Sequence, residues 1–255
     1  MRLLKARLLP LLGLLSLTPC HADSTLTFST AVDYSTGKYG EASRTETVYM
    51  PLGIKYELSK WTLRATIPYV ETTGPASVSG AGADQVAINN GNTTRRRAAG
   101  LGDIVLSASW TAFQQGPWLV ELGTKVKLAT ADETKGLGTG KNDYSVQAEL
   151  YRSLGSHTLF GTLGFKKMGD PDGVNLKDPL YTSLGWSYRT SPSTALGISY
   201  DYREKLQASS APMNDATCFL THKLDQDWKV QTYVSTGFTR ASAEFGAGVF
   251  VFYTY

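Results

Sequence analysis

Chemistry in this chain has few places to reside. A hydrolytic site of the serine–histidine kind needs a hydroxyl within hydrogen-bond reach of an imidazole that a third group orients. Beyond residue 22 only His157 and His222 supply imidazoles, and neither lies in a recognisable nucleophile motif, although Ser156 precedes His157. Gly136 to Lys141 imitates a phosphate loop, but Lys135 replaces the required leading glycine and Asn142 the hydroxyl residue after the lysine. Asp170, Asp172, Asn175 and Asp178 offer oxygen ligands without the spacing or bidentate glutamate of a calcium loop, so a plain turn is the better reading. Two separated histidines without clustered partners make no zinc site. The expectation is a non-enzyme with no cofactor and no metal, a lipid hydrolase being the remote alternative.

The dense charge run is Arg95-Arg96-Arg97, inside the longest connection, Thr72 to Gly100. Three readings apply to it: a solvated loop tip, a contact with lipopolysaccharide phosphates, which guanidinium groups bind well, or a gate folded inward that attracts anions.

The ends of the chain bear on where these residues act. Met1 to Ala22 has a basic opening (Arg2, Lys5, Arg7), an apolar run from Leu8 to Leu17, and small residues before Asp23. That is the pattern of a secretory signal cleaved after Ala22, leaving 23–255 as the mature domain. Pro19 before Cys20 argues against a lipoprotein signal. The leader holds three of the 25 Lys and Arg residues, so the rest balance the 22 Asp and Glu residues. Nothing in that balance calls for nucleic acid. One cysteine, Cys218, remains, so no internal disulfide forms. No apolar stretch after the leader is long enough for a transmembrane helix, and a membrane-spanning chain must then be a closed barrel.

Period-2 alternation divides the mature chain into twelve segments. They are Thr25 to Tyr34, Thr45 to Leu58, Trp61 to Glu71, Leu101 to Phe113, Trp118 to Ala131, Asp143 to Leu154, His157 to Met168, Leu180 to Thr190, Thr194 to Glu204, Ala216 to Leu224, Trp228 to Phe238 and Glu244 to Tyr255. Short turns alternate with longer links, as periplasmic turns and external loops do in an outer-membrane barrel. Trp61, Trp118 and Trp228 each follow a short turn on the apolar face, where a periplasmic aromatic girdle would lie; Tyr34, Tyr69, Tyr188 and Tyr202 are expected in the outer one. The fold class is therefore all-β, a transmembrane antiparallel up-and-down barrel of about twelve strands. Its expected setting is the outer membrane of a Gram-negative bacterium, among lipid and lipopolysaccharide, with the C-terminal strand ending on Tyr255 addressed to the barrel-assembly machinery.

With apolar faces turned to lipid, the opposite faces must line the lumen. The charged lumen candidates are Arg64, Asp103, Glu121, Lys125, Lys127, Glu149, Arg189, Asp201 and Arg203, with Asp33, Lys55, Glu57, Lys166, Lys223 and Lys229 on the same faces. Phe160, Phe219, Tyr233, Phe250 and Phe252 project inward beside them, as packing filler or as a track for a small aromatic solute.

Two stretches resemble motifs of a known family. Gly100-Leu101-Gly102-Asp103-Ile104-Val105-Leu106, and Lys127-Leu128-Ala129-Thr130-Ala131-Asp132 followed by Gly136-Leu137-Gly138-Thr139-Gly140 and Asp143, are similar to signatures of the putative MetA-pathway of phenol degradation family of outer-membrane barrel transporters. Ala129 stands where that family usually carries proline. The resemblance implies a transport-like role and loosely an aromatic solute. Read as residues, the glycines allow bulges and tight returns at a barrel rim, and Asp103 and Asp143 are expected to face the lumen near the outer mouth, accepting from loop amides or pairing with a loop arginine. The functional expectation is passive uptake of small aromatic or amphipathic solutes; the alternative is a plugged structural or surface-interaction barrel.

Overall fold

The computed structural model describes residues 24–80, 85–88 and 96–255; the expected signal segment and Arg95 lie outside the described residues. The apolar row of each segment is the exposed one. Leu52 and Leu184 are 65 % and 64 % exposed, while Asp33 and Lys55 are 3 % and 6 % exposed. This inverts the arrangement of a water-soluble core and is what a barrel wall facing lipid requires.

The strands are β1 (Thr25–Gly37), β2 (Thr45–Leu58), β3 (Trp61–Gly74), β4 (Ser77–Ser79), β5 (Val86–Ile88), β6 (Arg96–Leu101), β7 (Ile104–Gln115), β8 (Trp118–Leu128), β9 (Asp143–Leu154), β10 (His157–Lys167), β11 (Leu180–Arg189), β12 (Thr194–Arg203), β13 (Met213–Lys223), β14 (Trp228–Gly237) and β15 (Phe245–Thr254). Every wall pairing is antiparallel, and β1 pairs with both β2 and β15, which closes the sheet. β6 and β7 both pair with β3 and act as one stave interrupted at Gly102–Asp103. The closed barrel thus has twelve staves.

The segments read from alternation match the staves, with local differences. β1 runs on to Gly37, β8 stops at Leu128, and β13 starts at Met213, three residues before the alternation becomes regular. A register shift between Thr111 and Phe113 resets the period and keeps both Trp110 and Phe113 outward. β4 and β5, a small hairpin inside the longest connection, have no counterpart in the sequence reading.

Trp61, Trp118 and Trp228 begin their strands beside the short turns, and Trp61 pairs with Trp110 across strands. Tyr188 corrects one expectation. It lies at the short-turn end of β11, where His157 stacks on it at 4.9 Å between centroids and Trp186 packs beside both. It belongs to the turn-end girdle because β11 runs from the long-loop end toward the turn at 190–193. Tyr34, Tyr69 and Tyr202 do lie near the long-loop end.

Candidate functional site: the lumen and its mouth

The two similar motifs meet in space at the long-loop end. The Lys127 Nζ lies 3.1 Å from an Asp103 carboxylate oxygen and 3.2 Å from one of Asp143. It also donates to Thr139 Oγ1 at 2.7 Å. The other Asp103 oxygen accepts from the Thr130 and Ala131 amides at 3.1 and 3.0 Å, and the other Asp143 oxygen from the Gly169 amide at 3.0 Å. Connection 129–142 is thereby bound to the β6–β7 stave and to β8, and Lys141 donates to Asp172 of the neighbouring connection at 2.9 Å. The glycines make room: a Cβ on Gly138 would fall 2.8 Å from both Asp103 oxygens, and one on Gly100 would fall 2.9 Å from the fully buried Leu137. Beyond the membrane-spanning part, Asp132 opens a short 3₁₀ turn, and its hydrogen bonds from Thr134 and Lys135 hold its carboxyl below the usual range. Asp103 and Asp143 do hold loop amides, but the basic partner is the strand residue Lys127 and not a loop arginine.

Deeper in the barrel the lumen wall divides into two sectors. On β10 to β15 the inward aromatics lie flat over glycines directly opposite them in register: Phe160 on Gly185, Tyr181 on Gly164, Phe219 on Gly197 and Tyr233 on Gly248. A Cβ on Gly185 would stand 2.1 Å from the Phe160 ring, and one on Gly197 2.4 Å from that of Phe219. Each glycine is the hollow that lets its ring fold down instead of blocking the bore. Phe160 and Phe219 pack with Leu119, Tyr151 and Tyr233, and Tyr233 with Phe250 and Phe252, giving one continuous apolar surface. The Tyr233 hydroxyl donates to Asp33, and Tyr181 to Gln147 Oε1 at 2.7 Å.

The opposite sector is charged. Glu121 and Glu149 face each other across β8 and β9, and Lys55 faces Arg64 across β2 and β3. Glu149 accepts from Tyr151 and from Gln147, the latter at 2.5 Å. Arg64 stands within electrostatic reach of Glu121. A cavity of about 400 Å³ runs between the sectors, lined by Arg64, Lys125, Glu149, Asp201, Arg203, Phe160, Phe250 and Phe252 among others. That size suits one small molecule.

Among the sequence-predicted lumen residues, Arg64, Asp103, Glu121, Lys125, Lys127, Glu149, Phe160, Asp201, Arg203, Phe219, Tyr233, Phe250 and Phe252 take inward positions. Arg189 shares the inward register but stands exposed at the turn end of β11. Leu119, Tyr151 and Tyr181 also point inward and were not singled out; the period-2 spacing of Tyr151 from Glu149 is the signal that would have found it.

Arg96 and Arg97 lie exposed on β6, at the rim, and Arg97 pairs with Glu71 at 2.8 Å. Both are strand residues open to solvent; Arg95 is outside the described residues. The mouth is crossed instead by the β4–β5 hairpin. Val78 packs with Tyr39 and Ala76, and Val86 with Met168, Leu176 and Leu206, which belong to connections on the far side of the barrel. Gln85 joins the two sides: it donates to Ser35 Oγ at 3.2 Å, accepts from the Tyr39 hydroxyl at 3.4 Å, and its carbonyl accepts from Arg203 at 2.5 Å. Burial pushes the Tyr39 phenol up to about 12, against the lowering effect of its hydrogen bonds with Ser35 and Gln85.

On the outer surface, His157 Nδ1 accepts from the Trp186 indole at 3.2 Å, and His222 lies 2.8 Å from Thr194 Oγ1. Neither ring is hydrogen-bonded to a serine among the described residues.

No protein-family model matches the chain, and no curated protein is similar to it in sequence. Solved structures do match. An outer membrane channel from Pseudomonas putida F1 has a TM-score of 0.72 at 13 % identity, covering 93 % of this chain and 97 % of that one. The fold is that of an outer-membrane channel barrel. KdgM porin (TM-score 0.54, 10 % identity) and NanC porin (0.55, 8 %) match over 89 % of this chain and 98 % of their own. At these identities the likeness speaks for architecture alone.

Proposed function

We propose that this protein is a passive outer-membrane channel for small aromatic or amphipathic solutes. The observation that carries the reading is the cavity of about 400 Å³ bounded on one side by aromatics folded onto glycines and on the other by paired charges. An aromatic solute gains by desolvating one face against the rings, while its polar groups meet the charged sector. The barrel fold and the exposed apolar belt support an outer-membrane setting, with lipid and lipopolysaccharide around the wall. The solved structures it resembles are channels, which supports transport over catalysis. Single-channel recording on the refolded mature chain tests the reading. Discrete conductance that small aromatics reduce, and that Phe160→Ala/Phe219→Ala desensitises to them, is the expected result; aromatic sensitivity unchanged in that variant would remove the aromatic track.

A second reading draws on the hairpin across the mouth. A permanently closed barrel serving envelope structure would give a correctly folded, heat-modifiable but electrically silent protein. Conductance appearing only after the hairpin's anchors are removed would favour that reading.

A further inference from the structure

The turn end of the lumen carries a cationic collar that the fold does not neutralise. Lys223 and Lys229 stand directly opposite each other on β13 and β14, and Lys229 stands opposite Phe252 on β15. Like charges in direct cross-strand register are destabilising unless something answers them. Lys229 is only 7 % exposed, and its Nζ sits 4.4 Å above the centre of the Phe252 ring. Among the described residues neither lysine has a carboxylate within ion-pair distance. Lys55 and Lys223 are within electrostatic reach of Lys229, and Arg189 of Lys223. The carboxylate nearby, Glu57, is already bound by Lys55 at 2.6 Å. The ring face attracts the ammonium and offsets part of the cost of burying it, but it supplies no counter-charge, which an arriving anion would.

The ring beneath Lys229 also fixes what kind of anion fits. Phe252 stacks with Phe250, 6.3 Å between centroids, and both line the cavity. A flat solute resting on Phe250, beside the ring that Lys229 covers, directs a carboxylate at one of its edges toward the two lysines. We infer that Lys223 and Lys229, with Phe252, form a binding subsite for the carboxylate of a small aromatic acid. This rests on the channel reading and narrows it: the favoured solute is an aromatic monocarboxylate, held last at the turn end before release.

Calorimetry of benzoate with the refolded barrel in detergent tests this whether or not the barrel conducts. Toluene, acetate and benzoate are compared on the wild type, Lys223→Gln/Lys229→Gln and Phe252→Leu, each checked for heat-modifiable folding. The expected result is benzoate binding weakened at least tenfold in the lysine variant and severalfold in Phe252→Leu, with acetate binding far weaker than benzoate throughout. Benzoate affinity unchanged in the lysine variant overturns the subsite, as does acetate binding as tightly as benzoate. Bilayer recording separates the two levels. Benzoate binding with no conductance would sink the channel reading and leave the subsite standing, whereas conductance without benzoate binding would do the reverse.

Discussion

Connection 129–142 and the β4–β5 hairpin lie over the same mouth, yet different forces hold them. The first is fastened by a lysine set between two buried carboxylates, each of which also binds loop amides. The second rests on two buried valines and the hydrogen bonds around one glutamine, with Arg203 the charged member. Charge-assisted bonds in a buried setting are about twice as strong as neutral ones and leave a costly remainder when one partner goes. The difference teaches which part of the mouth is frame and which part can leave its seat: to lift, connection 129–142 must strand buried charge, whereas the hairpin gives up mainly neutral bonds and a small apolar contact.

The sharpest way to break the comparison is to remove the central cation. Lys127→Met should leave Asp103 and Asp143 facing each other without compensation and cost about 3–5 kcal/mol. Urea unfolding of the refolded barrel measures this. A loss below about 1 kcal/mol would mean that the connection is held by its backbone alone. The next effect is steric. Gly138→Ala places a methyl 2.7 Å from the Ala131 Cβ and against the Asp103 carboxylate, and overpacking of this kind costs about 1–3 kcal/mol. Gly123→Ala is the control, because its Cβ would meet the Gln147 side chain at 3.3 Å, where a flexible chain can yield; little or no loss is expected.

The barrel was legible because period 2 survives in every stave and because apolar rows opposite Lys55, Glu121 or Lys127 admit only one assignment of lipid and lumen. The loop-binding use of Asp103 and Asp143 was legible from the glycines around them. Their partnership with Lys127 was half-hidden: Lys127 faces Asp143 in the β8–β9 register and Val105 in the β7–β8 register, which makes Asp103 its diagonal neighbour, but neither register is written in the sequence. The hairpin could not be read at all. Val78 and Val86 are isolated apolar residues in a stretch rich in Gly, Ala, Ser and Asn, which looks solvated. Their burial comes from Leu176 and Leu206, residues of other connections brought close by barrel closure. The arginine run is conspicuous in one dimension, but the sequence does not show that Arg96 and Arg97 belong to a rim strand paired with β3.

The hairpin side of the comparison predicts changes in conductance with little change in stability. Arg203→Ala removes the bond to the Gln85 carbonyl, and hydrogen bonds to charged groups contribute about 1.5–3 kcal/mol. That is enough to raise the open fraction of a closed mouth about tenfold or more. Single-channel open probability should rise accordingly, while the urea midpoint moves much less than in Lys127→Met. Equal losses of stability in the two variants would erase the distinction between frame and hairpin.

The smallest effect should come from pH. The Tyr39 phenol, held up to about 12 mainly by burial, donates to Gln85 only while protonated. With the hairpin displaced, the phenol returns to its ordinary value near ~10. Its contribution to closure is therefore fully present below about pH 10 and is lost as pH rises toward about 12. Asp33 and Asp215, whose negative charges also oppose ionisation of Tyr39, stay ionised across that window and leave its direction unchanged. Lysines titrate in the same range, so the quantity to read is the difference between wild type and Tyr39→Phe. Open probability should climb with alkali more steeply in the wild type than in the variant. Parallel curves would show that Tyr39 holds the hairpin by packing against Val78 and Ala76 and that its hydroxyl contributes nothing to the seat.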